Sequence, residues 1–224
     1  MFADKTPEKI QKMFDDISSY YDKVNNLISF GMHYFIKYSV LKSLNIVSID
    51  KILDVCCGTG DNTKIISKIS SGSEVYGLDF SEKMLDLAKI KNPTKQFVRG
   101  DCTNIPFDNF VFDFVIASFG LRNIENRPRA ISEIHRVLKK NGKFVHLDFE
   151  KTNLFISKLY MIFVGLVIKM LDKDRDAYKY LIESKNDYPA SDALIEEFKN
   201  VGFSLVSRKY FLFGNICAIV VQKI

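Results

Sequence analysis

Lys51-Ile52-Leu53-Asp54-Val55-Cys56-Cys57-Gly58-Thr59-Gly60-Asp61 runs from an apolar lead-in through two closely spaced glycines into the helical pattern Thr63-Lys64-Ile65-Ile66-Ser67-Lys68-Ile69. A strand, a tight glycine turn and a helix start in that order make a cradle for a nucleoside-bearing ligand. Nineteen residues past Gly60, Asp79 ends a second apolar run, Glu74-Val75-Tyr76-Gly77-Leu78. A carboxylate at that place can accept hydrogen bonds from both hydroxyls of a ribose.

The same rhythm continues outward from this unit. Residues 81–90 read as a helix, with Ser81 as N-cap and Met84, Leu85 and Ala88 on its buried face. Residues 96–100 make a short third strand, and the near-continuous apolar run 112–118 suits a fourth strand buried on both faces. Residues 129–140 read as a helix ended by Asn141-Gly142, and 143–149 as the fifth strand. Strands alternating with helices imply a parallel, doubly wound sheet with helices on both faces. After it come a greasy helical stretch over 154–172, a second helical piece over 176–185 and a third over 191–200, ended by Gly202. Two strands joined at Gly214 close the chain as an antiparallel hairpin.

The 224 residues are read as a single domain in four parts. A helical cap covers 1–45, with Ile10, Met13, Phe14 and Ile17 on one face; the cofactor-binding core covers 46–150. A helical lid insertion spans 151–190, and the final helix and hairpin fill 191–224. Cap and insertion are expected to fold over the carboxyl edge of the sheet, where open α/β sheets bind ligands.

Hydrophobic content of 47% and charged content of 26% are ordinary for a globular chain, and a net charge of +5 does not single out nucleic acid. No basic run is present, and strand four ends in Ser118-Phe119-Gly120 rather than Asn-Pro-Pro-aromatic, so nucleic acid is not the expected partner. The cysteines Cys56, Cys57, Cys102 and Cys217 fit no zinc spacing, so no metal is expected, and two of them read as small residues of a crowded turn. With no apolar run long enough to span a bilayer and no signal-peptide core near Met1, a cytoplasmic location with peripheral membrane contact is expected. Oligomeric state stays open, a homodimer included.

The ligand can be narrowed. A dinucleotide fingerprint needs a third glycine three residues after the second, where Thr63 stands, and no P-loop lysine follows. Asp54 would repel a pyrophosphate but suit a sulfonium or ammonium group. S-adenosylmethionine carries both. The pattern hydrophobic-Asp-x-x-x-Gly-Thr-Gly, Asp79 after strand two and Asp101 after strand three together resemble a class I methyltransferase, with its Rossmann-like sheet.

A narrower resemblance rests on three blocks: Tyr21-Asp22-Lys23-Val24-Asn25-Asn26-Leu27-Ile28-Ser29-Phe30-Gly31-Met32-His33, Phe119-Gly120-Leu121-Arg122-Asn123, and Arg136-Val137-Leu138-Lys139-Lys140-Asn141-Gly142-Lys143. Tyr180-Leu181-x-Glu183-Ser184, followed by Tyr188-Pro189, adds a fourth. In collinear order these resemble the ubiquinone/menaquinone biosynthesis C-methyltransferases. The resemblance implies methyl transfer from S-adenosylmethionine to a ring carbon of a prenylated hydroquinone such as demethylmenaquinol. It implies cofactor contacts from Asp54, Gly58, Thr59, Gly60, Asp79, Asp101, Cys102 and Ser118. Two places depart from it: Tyr34-Phe35-Ile36-Lys37 replaces a basic residue and tryptophan, and Asp148-Phe149-Glu150 replaces a serine-bearing stretch. The alternatives are methylation of oxygen or nitrogen on another lipophilic compound, a nicotinamide-dependent oxidoreductase, or a silent cofactor-binding scaffold.

Ring-carbon methylation needs a phenolate and an excluded solvent. Arg122, just past strand four, is placed to stabilise a phenolate as a fixed cation, against a plainer role as an ion pair with Glu125 or Glu133. Asn123 can hydrogen-bond beside it, and Tyr21 can cover the methionine portion or orient the phenol. The base is open among Asp148, His33 and an ordered water beside Arg122; His146 reads as a core histidine and His135 as a helix-surface one. The apolar residues of 154–171, Tyr160 and Phe163 among them, read as a buried core helix, as the wall of an isoprenoid channel, or as both.

Overall fold

A computed structural model of the chain describes residues 5–152, 155–171, 180, 184–185 and 187–224. Among the described residues seven strands form one sheet: β1 Lys51–Val55, β2 Glu74–Asp79, β3 Gln96–Arg99, β4 Phe112–Ser118, β5 Leu138–Phe149, β6 Phe203–Phe211 and β7 Ile216–Lys223. Their order is β3-β2-β1-β4-β5-β7-β6. The first five pair in parallel, and β7 slots antiparallel between β5 and β6. Chain direction thus leads from β1 to β2 on one side and resumes with β4 on the other. The crevice opens at that reversal, at the carboxyl ends of β1 and β4.

Alternation along the central strands assigns the two faces. Leu53 and Val55 of β1, with Val115 and Ala117 of β4, pack toward α5 (Arg127–Val137) and α7 (Ser191–Val201). Ile52 and Ile116 face the other way, toward α2 (Met32–Lys42) and α3 (Asp61–Ile69). Helix α4 (Glu82–Lys91) starts where expected: Ser81 Oγ accepts the Met84 N–H at 3.1 Å.

The largest departure from the sequence reading is where the fifth helix ends and the fifth strand begins. Helix α5 stops at Val137, and Leu138 already pairs with Phe112 in the sheet. The carbonyls of Arg136 and Val137 accept the N–H groups of Phe110 and Val111 at 3.1 and 2.8 Å, so the helix end is satisfied by the loop before β4. Asn141, at φ 64°, and Gly142 sit at the irregularity of the β4–β5 ladder instead of capping the helix. A Cβ on Gly142 would lie 2.9 Å from the Lys139 carbonyl, so that kink requires glycine.

Helix α1 (Pro7–Ser29) is amphipathic, and its Ile17 packs on Met84 of α4 while Val24 packs on Val164 of α6 (Phe155–Leu171). The chain then turns through Phe30 (φ 50°) and Gly31 (φ 73°) into α2. Tyr160 of α6 donates to the Ile28 carbonyl at 3.0 Å, so α1 and α6 are joined above the crevice. The helical piece expected over 176–185 lies largely outside the described residues, as do Leu154 and Asp172. No helix among the described residues is long and apolar enough to cross a membrane.

Candidate functional site

Past β1 the backbone takes positive φ at Cys56 (52°), Gly58 (54°) and Gly60 (79°), reversing sharply into α3. Gly60 is required by space as well as torsion: a Cβ there would stand 2.7 Å from Asn92 Nδ2 and 3.2 Å from Ala88 Cβ. Asp79, at the end of the neighbouring strand, clamps this turn. Its Oδ2 accepts Gly58 N–H at 2.8 Å and its Oδ1 accepts Ser81 N–H at 2.9 Å. Burial pushes the Asp79 carboxyl up, and the backbone N–H donors oppose that. The thiols of Cys56 and Cys57 are also pushed well up, Cys56 by its contact with Cys102 and by burial, Cys57 by burial. They are inert packing groups of a crowded turn.

Two cavities meet at this turn. The first, about 220 Å³, is lined by Gly58, Asp79, Asp101, Cys102, Ser118, Asn123 and Tyr21, with apolar cover from Phe14 of α1 and from Phe80 and Met84. Asp101 tightens the turn after β3 by accepting Thr103 N–H at 2.8 Å. Carboxylates at two successive strand ends beside a glycine turn, under an apolar roof, fit an adenosine bearing a short charged chain. The second cavity, about 130 Å³, shares Tyr21, Cys56, Gly58, Ser118 and Phe119 with the first. Its lining includes the charged or polar side chains His33, Lys37, Asp61, Asn62, Arg122 and Lys185. Apolar side chains, Ile28, Phe149, Val164, Leu212 and Ile216, make up another share of it.

The sequence matches the ubiE/COQ5 methyltransferase family over residues 3–223. The chain belongs to that family. It is 41% identical to the demethylmenaquinone methyltransferase of Staphylococcus carnosus over 92% of its own length and 90% of that protein's. Identity to the demethylmenaquinone methyltransferase of Geobacillus stearothermophilus is 34%, over 92% of this chain and 93% of that one. In fold it is similar to a SAM-dependent methyltransferase from Thermotoga maritima, with a TM-score of 0.72 over 96% of this chain and all of that one, at 18% identity. It is therefore an S-adenosylmethionine-dependent methyltransferase, demethylmenaquinone methyltransferase-like in sequence.

Within this ubiE/COQ5-family chain, Arg122 is 4% exposed and fixed by several contacts while lining the second cavity. Its Nη1 donates to Asp148 Oδ1 and to the Phe119 carbonyl, both at 2.7 Å, its Nε faces Ser184 Oγ at 3.4 Å, and its plane lies over Phe149. The partner is thus Asp148 of β5, not Glu125 or Glu133; Glu133 instead pairs with Arg136 and Arg129. Asp148 Oδ2 and His146 Nδ1 are buried without a partner among the described residues. His146 faces Tyr188 Oη at 3.3 Å through Nε2, and burial pushes it down to about 4, so it is a neutral core histidine at pH 7. Asn123 accepts a hydrogen bond from Tyr180 at 3.3 Å. Burial pushes the Tyr21 hydroxyl up, so it too is neutral.

Three of the expected cofactor residues act at one remove or are already engaged. Asp54 is fully buried beneath the turn, where its Oδ1 accepts from Asn62 Nδ2 at 2.9 Å and Thr63 faces it at 3.4 Å. Burial pushes its carboxyl up to about 7, with the Asn62 bond opposing. Asn62 also bonds Ser118 Oγ at 3.1 Å, so Asp54 reaches the cavities through it. Gly60 lines neither cavity. Thr59 donates to Asp22 at 2.7 Å and accepts from Lys91 at 2.8 Å.

That last contact belongs to a network the sequence reading did not assemble. Lys91 pairs with Asp22 and lies 3.5 Å from Asp61, which also accepts from Lys37 and Tyr34, both at 3.1 Å. Burial alone would raise Asp61, but Lys37 and Lys91 outweigh it and hold the carboxyl at about 2. The network ties α1, α2 and α4 to the start of α3. Asp22 stands inside the N-terminal signature and Lys37 four residues after it, which was the only trace of their role; their partners are 24 to 69 residues away.

Proposed function

We propose that this chain methylates a ring carbon of a prenylated hydroquinone of the demethylmenaquinol kind. The observation that carries this reading is the shared wall of Tyr21, Gly58, Ser118 and Phe119 between a carboxylate-lined cavity and one that runs from charged groups into apolar side chains. A polar donor and a half-apolar acceptor meeting across a common wall is the layout that such a transfer needs. The names of the relatives support the acceptor class.

In this reading Asp79 accepts from the ribose, Asp101 and Cys102 meet the adenine, and Gly58 lets the chain pass close to the ligand. Asp54, through Asn62 and Ser118, and the Thr59–Gly60 turn shape the end near the sulfonium. The donor, once bound, supplies a methyl group on a positively charged sulfur. Arg122 holds negative charge on the acceptor oxygen, and because Asp148 fixes its plane, little reorganisation is needed when that charge develops. Asn123 and Tyr21 orient the ring. Apolar walls keep water from competing for the methyl group.

The residues around the apolar part also suit a lipid surface. Tyr160 and Val164 of α6 line the cavity, whereas Leu159, Ile162 and Leu166 on another face of the helix are exposed. Phe30 is 73% exposed and stacks on Phe163, linking this face to the exposed Phe35 and Met32 of α2. We infer peripheral attachment to the cytoplasmic face of a membrane, with the tail of the acceptor passing between α1 and α6, which together act as the lid.

Labelled S-adenosylmethionine and a short-tailed demethylmenaquinol test the reaction: label should appear on the ring carbon, and label on oxygen or nitrogen overturns it. Co-sedimentation with anionic vesicles tests the attachment, and Ile162→Glu should reduce it several-fold while turnover on the short-tailed acceptor stays unchanged.

A further inference from the structure

We propose that His33 is the general base for this reaction, its Nε2 lone pair turned into the second cavity to take the proton of the acceptor's hydroxyl. The inference rests on the reading above that this cavity receives a hydroquinone.

The tautomer follows from the hydrogen-bond chain behind the ring. Ser29 Oγ donates to the Asn25 carbonyl at 2.6 Å, which commits its only proton. At the 2.6 Å contact between Ser29 Oγ and His33 Nδ1, the hydroxyl must therefore accept, and Nδ1 carries the hydrogen. A neutral imidazole has one N–H, so Nε2 is left with a lone pair. Asp61 Oδ2 stands 3.8 Å from it, itself an acceptor and too distant for a direct bond. Two acceptors facing one another across such a gap leave room for a donor, and both residues line the cavity. A phenolic O–H is a donor of that kind.

The surrounding charges suit the transfer. Lys37 of α2, Asp61 of α3, Asp22 of α1 and Lys91 of α4 all act on the ring, and Tyr34 meets its edge. Burial and Lys37 together push His33 down to about 4, so it is unprotonated and available at pH 7. Asp61, held ionised by its lysines, offsets the charge of the imidazolium once it forms, and Lys37 favours the phenolate left behind. Asp148 and His146, the other titratable pair near Arg122, do not line the cavity.

The O–H bond breaks, its electron pair stays on oxygen and the proton goes to Nε2. Charge delocalised onto the ring carbon ortho to that oxygen forms the new C–C bond while the S–CH3 bond breaks, its pair remaining on sulfur. The now tetrahedral carbon gives its hydrogen to water as a proton, the ring becomes aromatic again, and the oxygen recovers its proton from His33. One proton is released per methyl transferred.

Two measurements test this. With short-tailed demethylmenaquinol, His33→Gln should lower kcat by about a hundredfold or more at pH 7, the usual worth of a general base. Its rate should then climb about tenfold per pH unit toward pH 9, as hydroxide replaces the lost base, whereas the wild-type rate stays nearly flat. Calorimetric affinity for S-adenosylmethionine should be unchanged. A kcat within threefold of wild type, or a pH profile parallel to it, overturns the proposal. The second measurement needs no turnover. In 15N-histidine-labelled wild-type protein, the three histidines being distinguished with His135→Gln and His33→Gln, His33 should be Nδ1-protonated at pH 7. Its Nε2 resonance should shift when 1-naphthol and S-adenosylhomocysteine are added. An Nε2–H tautomer, or no response to the naphthol, rules His33 out as the base. Wild-type protein that shows the tautomer and the naphthol shift yet never methylates the quinol would sink the acceptor assignment and leave the base standing.

Discussion

The two cavities meet at one turn but are built in opposite ways. The first is assembled from strand ends and backbone: alternate positive-φ residues along the turn, and a carboxylate that accepts two main-chain N–H groups. The second is assembled from side chains that arrive from α1, α2, α3, α6, β5 and β7, and its charges are balanced by partners far away in sequence. The first can tolerate side-chain change because its shape is in the main chain. The second depends on each charged group meeting its counterpart, since an uncompensated buried charge is costly.

Arg122→Met is the strongest way to break this contrast. It strands the Asp148 carboxylate, 1% exposed, without its counter-ion, and should lower stability by about 3–5 kcal/mol in urea unfolding. Adding Asp148→Asn removes the stranded charge and should restore most of that stability, but not turnover. Turnover that returns with stability would leave Arg122 a purely structural role.

The same contrast explains what the sequence made legible. Glycine spacing, the Ser81 cap, Asp79 at the end of β2 and the closing hairpin are local signals, and the chain folds there as its neighbours along the sequence dictate. Asn141-Gly142 misled because a helix stop and a kink in a strand ask for the same positive φ; the difference lies in Phe110 and Val111, which take the helix carbonyls from 26 residues upstream. The Asp148 partner of Arg122 and the Asp22–Lys91–Asp61–Lys37 network were hidden for a related reason. A charge pair across 26 or 69 residues leaves no periodicity to read, only two charged residues that look solvated.

Gly60→Ala probes the backbone side. The substitution meets both an unfavourable torsion and the contact with Asn92, and should cost roughly 2–3 kcal/mol, read as a lower urea midpoint. Gly58→Ala is the control: its Cβ would find nothing within 4 Å among the described residues, so only the torsion acts and the loss should be about 1 kcal/mol.

Asp61 tests the side-chain network through pH. Its carboxyl titrates at about 2 in the folded chain against 3.8 for the ordinary group, so the folded state holds its proton less tightly than the unfolded one. This stabilisation is fully present above pH 4 and disappears as pH falls toward 2. It amounts to about 2 kcal/mol. Asp61→Asn should remove that amount at pH 7 and flatten the stability profile between pH 4 and 2. An unchanged profile would mean that Lys37 and Lys91 do not hold Asp61 ionised in solution.

Asp79→Ala carries the smallest expected effect and separates the cavities most cleanly. Asp79 faces only the first cavity, so its loss should weaken S-adenosylmethionine binding by roughly 1–2 kcal/mol, as expected for lost charge-assisted hydrogen bonds, and leave the acceptor's affinity untouched. Arg122→Lys, by contrast, keeps a positive charge but loses the planar donor fork, and should disturb the acceptor while calorimetry with the methyl donor stays the same. If Asp79→Ala weakened both ligands equally, the Gly58–Asp79 bond would be shaping the shared wall itself. The second cavity would then depend on the backbone turn as much as the first does, and the division between a main-chain site and a side-chain site would fail.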